Sequence, residues 1–296
     1  MAFVSERDLE IWALERLEAL GYRYARASEV SPEHHEAQRT SYRDAVLEKR
    51  LRAAVERLNP GLPETAVTEV VSVVRDVRFG RTIEENERLH GLLVNGVPIT
   101  VIQNGEERGD VARLVDWDDA ENDWLVVNQF EIVDRETRFP DVTLFLNGLP
   151  VVVVSLKGVE GGSLESAWNQ LEEYKQTVPT LYRTNALSVI SDGVTARYGS
   201  LSADFERFMR WRTVDGETLV EDQSALALQT LIDGLLAPAT LLPLIRRFTV
   251  FEDDGRGPVK KIAGYHQFHA AQKGHRRVLE AVQGNGKAGV MWHTQG

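Results

Sequence analysis

The chain has no cysteine in its 296 residues. That removes disulfide scaffolds, thiolate zinc sites and cysteine nucleophiles from consideration. It also lacks any apolar run near the roughly 18 residues a membrane-spanning helix needs. The opening, Met1 to Asp8, carries neither the basic stretch nor the apolar core of a leader peptide. A cytoplasmic protein with no membrane contact is the expectation. Positive charge is not in excess either: 34 Lys and Arg stand against 45 Asp and Glu, a net charge of −11. Any contact with a polyanion must therefore be local rather than spread over a basic coat. What is present suits a folded protein, since 43% hydrophobic residues can fill a sizeable core. At about 150 residues per domain, the length fits one large domain, or one plus part of a second.

Periodicity divides the chain. Ser5 is a candidate N-cap, with Asp8 three residues on and Leu9, Trp12, Ala13, Leu17 and Leu20 at helical spacing before Gly21. Helices are also expected over 41–58 and 64–77. Leu92-Leu93-Val94, Asn95-Gly96 and Val97–Val101 read as a hairpin with a primed turn. Strand-like runs follow at 111–117 and 124–133, and two more over 141–157 are broken by Asn147-Gly148. Val151–Val154 is apolar on both faces, as a doubly covered central strand requires. A helix from Leu164 to Gln176 capped by Ser163, a strand from Ala186 to Ile190 and a leucine-rich helical region over 223–247 complete the pattern. The fold class is α/β, a mixed central sheet flanked by helices, and 252–259 reads as a linker.

The chemistry-bearing stretch runs from Phe139-Pro140-Asp141 to Ser155-Leu156-Lys157. An aspartate opening one strand and a lysine closing the next resemble the PD-(D/E)xK nuclease core. The same residues also suit a surface hairpin whose terminal lysine snorkels into solvent. If Asn147-Gly148 were a simple two-residue turn, Asp141 would face Val154, leaving Ser155 and Lys157 on the other side of the sheet. A shared site needs a third loop residue or a bulge, pairing Asp141 with Ser155, and one of these is predicted.

The surrounding order narrows the reading. Leu125-Val126-Val127-Asn128-Gln129-Phe130 lies upstream; Trp168-Asn169-Gln170-Leu171-Glu172-Glu173-Tyr174, Ser191-Asp192-Gly193 and Phe208-Met209-Arg210-Trp211-Arg212-Thr213 lie downstream. This succession resembles the restriction (motor-nuclease, R) subunit of Type I restriction-modification enzymes, from about Ser5 to Gly296. The resemblance implies a Mg²⁺-dependent endonuclease domain acting on double-stranded DNA, in an assembly with methyltransferase (M) and specificity (S) subunits. It implies catalytic roles for Asp141 and Lys157, with Gln170 and Tyr174, one turn apart on one helix face, positioning the cluster. The family then continues into a helicase-like motor that uses ATP. Tyr265-His266-Gln267 resembles its adenine-reading element, with Gln267 as the contact. Met291–Gly296 resembles the opening of its phosphate loop, with Thr294 and Gly296 at the start. The lysine that would engage phosphate is absent, so an N-terminal fragment without ATPase activity is expected, with ATP a ligand of the full-length protein only. The implied division is an endonuclease domain over 1–247 and, over 248–296, a linker with the truncated start of the motor.

One position departs from the family pattern. Ser155 stands where the family has an acidic residue, and a hydroxyl cannot supply the second negative charge Mg²⁺ prefers. Either Glu10, Glu131 or Glu160 substitutes, or the nuclease is disabled, naturally or by design. Glu6 and Glu10 share a face of the first helix; a solvated role is expected for Glu6, and Glu10 is a candidate metal ligand beside Asp141. His34-His35 has no partner at i+4, and His266, His269 and His275 mark a helix surface. Over 241–278, Arg246, Arg247, Arg256, Lys260, Lys261, Lys273, Arg276 and Arg277 oppose three acids. They offer a local footprint for phosphates or for docking on the motor. Arg197, Arg207, Arg210 and Arg212 form a second, weaker group.

Overall fold

A computed structural model describes residues 5–103, 106–158, 162–220, 227–253, 255, 257–284 and 286–290. In chain order the elements are α1 (Glu6–Ala19), β1 (Arg23–Arg26), α2 (Glu48–Leu58), α3 (Glu64–Arg75), α4 (Thr82–Asn95), β2 (Val97–Gln103), β3 (Glu106–Ala112), β4 (Trp124–Asn128), β5 (Ile132–Val133) and β6 (Thr137–Arg138). They continue with β7 (Val142–Leu146), β8 (Leu149–Leu156), α5 (Leu164–Thr177), β9 (Leu187–Ser191), β10 (Ala196–Gly199), α6 (Ala227–Leu235), α7 (Pro238–Arg247), β11 (Thr249–Asp253), β12 (Pro258–Ile262) and α8 (Tyr265–Gln283).

Six strands form one mixed sheet in the order β1-β4-β7-β8-β9-β10. β1 runs parallel to β4 and β8 parallel to β9, and the other neighbours are antiparallel. Two apolar clusters cover its faces. One gathers Leu9, Ala13 and Leu17 of α1, the inner faces of α2, α3, α4, α6 and α7, and Val142, Val152 and Val154 of the sheet. The other sets Leu164, Leu171 and Tyr174 of α5 against Val127, Phe145, Val153 and Ile190. Every residue of β8 is buried, as its apolar-on-both-faces composition requires. Each such valine or leucine contributes about 1.5–3 kcal/mol by leaving water.

Ser5 caps α1 by accepting from the Asp8 N–H (3.1 Å), and Ser163 caps α5 by accepting from the Ser166 N–H (3.1 Å). The hairpin expected at Asn95-Gly96 is absent: residues 92–95 are the last turn of α4, and Gly96 closes it at φ +84°. Leu89 and Leu93, buried on one face of α4, hold that turn helical. β2 pairs instead with β3 further on. The strand expected over 111–117 ends at Ala112. The helix expected from 41 starts only at Glu48, because the Asp44 carboxylate draws the Thr40 and Ser41 N–H groups into a turn. The run 124–133 breaks after Asn128, where Gln129 takes φ +48°. Of the stretch 252–259 expected as a linker, Glu252 and Asp253 of β11 pair with Val259 and Pro258 of β12, so these residues belong to a hairpin. Among the described residues no single helix is long and apolar enough to cross a membrane.

Asn147 and Gly148, at φ +51° and +81°, form the two-residue primed turn joining β7 to β8. The pairing then slips: Phe145 faces Pro150, but Leu144 faces Val152. Val151 is the extra residue of a bulge. Beyond it Val142 pairs with Val154, so the next position along sets Asp141 opposite Ser155. Of the two solutions expected from the sequence, a third loop residue or a bulge, the chain adopts the bulge.

Candidate active site

Asp141 sits at the end of β7 with 4% of its surface exposed. One carboxylate oxygen accepts the Leu156 N–H (2.8 Å). Burial pushes the carboxyl up to about 7; the Leu156 N–H and the Lys157 ammonium oppose that rise, and Glu6 and Glu10 add to it. These effects put Asp141, Lys157, Glu6 and Glu10 in one electrostatic neighbourhood.

Each arrives on a different support. Lys157 follows β8, its backbone N–H bonded to the Ser191 carbonyl (2.8 Å), and its ammonium lies 3.5 Å from the Glu6 carboxylate. Glu6 and Glu10 come from the first two turns of α1. Gly158 lets this junction close, since a Cβ there would stand 2.9 Å from the Glu6 backbone nitrogen. On the face of the sheet that packs against α5, Ser155 is buried and donates to Gln170 Oε1 (2.6 Å). Tyr174, one turn on, is buried, and desolvation followed by the charge of Asp141 holds its phenol well above the ordinary tyrosine range.

The sequence candidates thus divide. Asp141, Ser155, Lys157, Gln170 and Tyr174 converge on the sheet ends between α1 and α5, with Glu10 beside them. The Glu131 charge acts on Arg39 and, unlike those of Glu6 and Glu10, is not among those that shift Asp141, and Glu160 lies outside the described residues. Gln267 caps α8, its Oε1 accepting the Gly264 N–H (2.8 Å). Thr294, Gly296 and Arg256 also fall outside the described residues. Lys260 does not belong to any surface footprint: it is buried, with Nζ donating to Asn86 Oδ1 (3.0 Å) and the Asn185 carbonyl (2.6 Å). In the second basic group, Arg207 pairs with Asp204 (3.8 Å) and Arg197 stacks on Phe205 (5.5 Å).

Two residues escaped sequence reasoning. Asn128 Nδ2 and Gln129 Nε2 each donate to one oxygen of the Glu10 carboxylate, at 2.8 and 2.9 Å. The signal was present, two amides ending an apolar strand, but nothing in the sequence joined them to α1.

Among the described residues no group of three or more His, Asp or Glu side chains is close enough to hold a metal ion. The acidic donors therefore number at most two. Two carboxylates, completed by water and a phosphate, are an ordinary set for Mg²⁺, and a buried carboxyl raised to about 7 would be relieved by a cation. The residues fit such an ion.

Known proteins resemble the chain throughout. The family profile described as Type I restriction enzyme R protein N terminus matches residues 3–207. The Type I restriction enzyme HindI endonuclease subunit of Haemophilus influenzae is 39% identical over 305 residues, covering 99% of this chain and 29% of that protein. The MjaIXP relative from Methanocaldococcus jannaschii is 29% identical, over 96% of this chain and 29% of its own length. The SauMSSORF170P endonuclease subunit of Staphylococcus aureus is 26% identical, over 100% of this chain and 29% of its own length. The chain thus spans 29% of the length of these curated relatives. It belongs to the Type I restriction enzyme R protein family, as that family's N-terminal region.

Proposed function

We infer that this region is a Mg²⁺-dependent nuclease of the PD-(D/E)xK type that cleaves double-stranded DNA. Asp141 and Lys157 are its catalytic pair, and Glu10 takes the place of the acid missing at Ser155. The observation that carries the reading is the Asp141 carboxyl, buried, raised to about 7 and within the field of Lys157, beside a bulge that brings it level with Ser155. A desolvated acid beside a specific charge partner is the arrangement expected of a functional site.

Asp141 and Glu10 would hold the ion. When bound, Mg²⁺ neutralises charge on the scissile phosphate and acidifies a water. The Lys157 ammonium stabilises negative charge on the phosphate oxygens as it develops, and Glu6 at 3.5 Å keeps that ammonium aimed at the sheet end. Ser155 engages Gln170 Oε1, which leaves the Gln170 amide hydrogens to donate toward a phosphate. Tyr174 stays a neutral phenol and acts as a donor, not as a base.

In the longer protein this nuclease unit, assigned to 1–247, works with an ATP-driven motor whose start is assigned to 248–296. Gln267 belongs to its adenine element, and Thr294 and Gly296 to its phosphate loop. M and S subunits supply modification and recognition. One observation favours a second reading, a catalytically disabled module for DNA binding or docking: Ser155 is satisfied by Gln170 and contributes no charge.

Plasmid nicking with Mg²⁺ or Mn²⁺ by the R subunit, assembled with its partners, separates the two. Cleavage by the present sequence, lost in Asp141→Asn, is expected. Cleavage only after Ser155→Glu would establish the disabled reading, and cleavage that survives Asp141→Asn would end the nuclease assignment at this site.

A further inference from the structure

The segment Asn128-Gln129-Phe130 stands out in the sequence yet takes no part in the chemistry above. Asn128 is the last residue of β4, level with Arg26 on one side and Val142 on the other. Its Nδ2 donates to Glu10 Oε1 (2.8 Å), while its Oδ1 accepts the Tyr24 hydroxyl (3.0 Å), which fixes the direction of the amide. Gln129 donates from Nε2 to Glu10 Oε2 (2.9 Å) and from its backbone N–H to the carbonyl of Asp141 (3.1 Å). Both oxygens of Glu10 are therefore held by neighbouring amides, one of which is also tied to the backbone of Asp141.

Gln129 has φ +48°, a left-handed conformation that favours glycine and disfavours an ordinary side chain. Its side chain is exposed, so burial does not account for its presence. What it does is reach Glu10. A strained residue kept at a site for the contact of its side chain points to function rather than folding. The kink is braced from behind: the Arg39 guanidinium lies 4.1 Å from the Phe130 ring centroid and donates from Nη1 to the Asp44 carbonyl (3.1 Å) and from Nη2 to the Glu131 carbonyl (2.6 Å). Apart from these amides and the Lys157–Glu6 ion pair, α1 meets the sheet by apolar packing, which sets no direction for the Glu10 carboxylate.

We propose that Asn128 and Gln129 are positioning residues, an amide clamp that holds the Glu10 carboxylate beside Asp141 and so supplies the acidic group absent at Ser155. This rests on the nuclease reading above. Partners that orient a ligand govern affinity nearly as strongly as the ligand itself, and the clamp transfers that task from β8 to the junction of α1 and β4.

Gln129→Gly isolates the role, because glycine suits φ +48° and keeps the fold while removing the donor. Mn²⁺ binding to this chain, followed by the loss of free Mn²⁺ signal in electron paramagnetic resonance, is measured beside thermal unfolding. The expected result is Mn²⁺ affinity lower by about tenfold at an unchanged or higher melting temperature. Glu10→Gln should give a similar loss, and the double variant no more than the single ones, since residues acting through one contact are not additive. Binding by Gln129→Gly equal to that of the parent, while Asp141→Asn abolishes it, would overturn the clamp and leave the nuclease reading standing. Binding indifferent to Asp141→Asn as well would remove the site itself, and the clamp with it.

Discussion

Replacing Asp141 by asparagine should make the protein more stable, and the gain should depend on pH in a defined way. The carboxyl is raised from 3.8 to about 7. The folded state therefore holds its proton over a range where the unfolded chain has released it. A group raised in this sense contributes stability that is complete below about pH 4 and is lost as pH climbs through 7. Three pKa units at about 1.4 kcal/mol each give a ceiling of about 4 kcal/mol. Asparagine keeps an oxygen for the Leu156 N–H, carries no charge and does not titrate. Asp141→Asn should accordingly match the parent near pH 4 and exceed its stability increasingly up to pH 7 and beyond. At pH 8 the difference should approach a melting temperature higher by roughly 8 °C, at about 2 °C per kcal/mol for a chain of this size. Urea unfolding of both proteins at pH 5, 6, 7 and 8 measures it, because the titrations of groups remote from Asp141 cancel in the difference. A difference that stays flat over this range would show that Asp141 is not the desolvated acid described here, and the argument from its perturbation would fall.

Two further outcomes follow from the fold. Lys260 is lowered from 10.5 to about 7 by burial, so its charged form costs stability at every pH below 7, and the cost fades as pH rises from 7 toward 10.5. The stability of Lys260→Met relative to the parent should be most favourable at pH 6 and decline by pH 9.5, read by denaturant unfolding; no change with pH would contradict the burial. Gly148→Ala should destabilise by about 2 kcal/mol or more, since φ is +81° and a Cβ would lie 2.6 Å from the Leu47 carbonyl oxygen. A melting temperature equal to the parent's would show that the β7–β8 turn has room it does not display.

Much of this was legible along the chain because it is local. Ser5 and Ser163 announce their helices by capping chemistry, Asn147-Gly148 announces a break between two strands, and the apolar run of β8 announces a covered strand. The bulge was legible for a different reason: two-residue periodicity makes Asp141 and Lys157 incompatible with one site unless a residue is inserted. The hairpin expected at Asn95-Gly96 failed because the same dipeptide ends a helix as readily as it turns a strand. Only the burial of Leu89 and Leu93 decides between them.

The site divides along the same line. Composition, the order of its motifs and the spacing from Asp141 to Lys157 and from Gln170 to Tyr174 mark the segments proposed to carry chemistry, since each reflects neighbours within one strand, turn or helix. Tertiary structure alone decided that Glu10 rather than Glu131 stands near Asp141, that Asn128 and Gln129 grip it, and that Lys260 lies inside instead of on a basic surface. Those facts depend on how α1 crosses the end of β4 and how the β11–β12 hairpin folds back on α4. Such placements are set by the burial of apolar faces, which has no direction along the sequence and so leaves no mark at the polar residues it brings together.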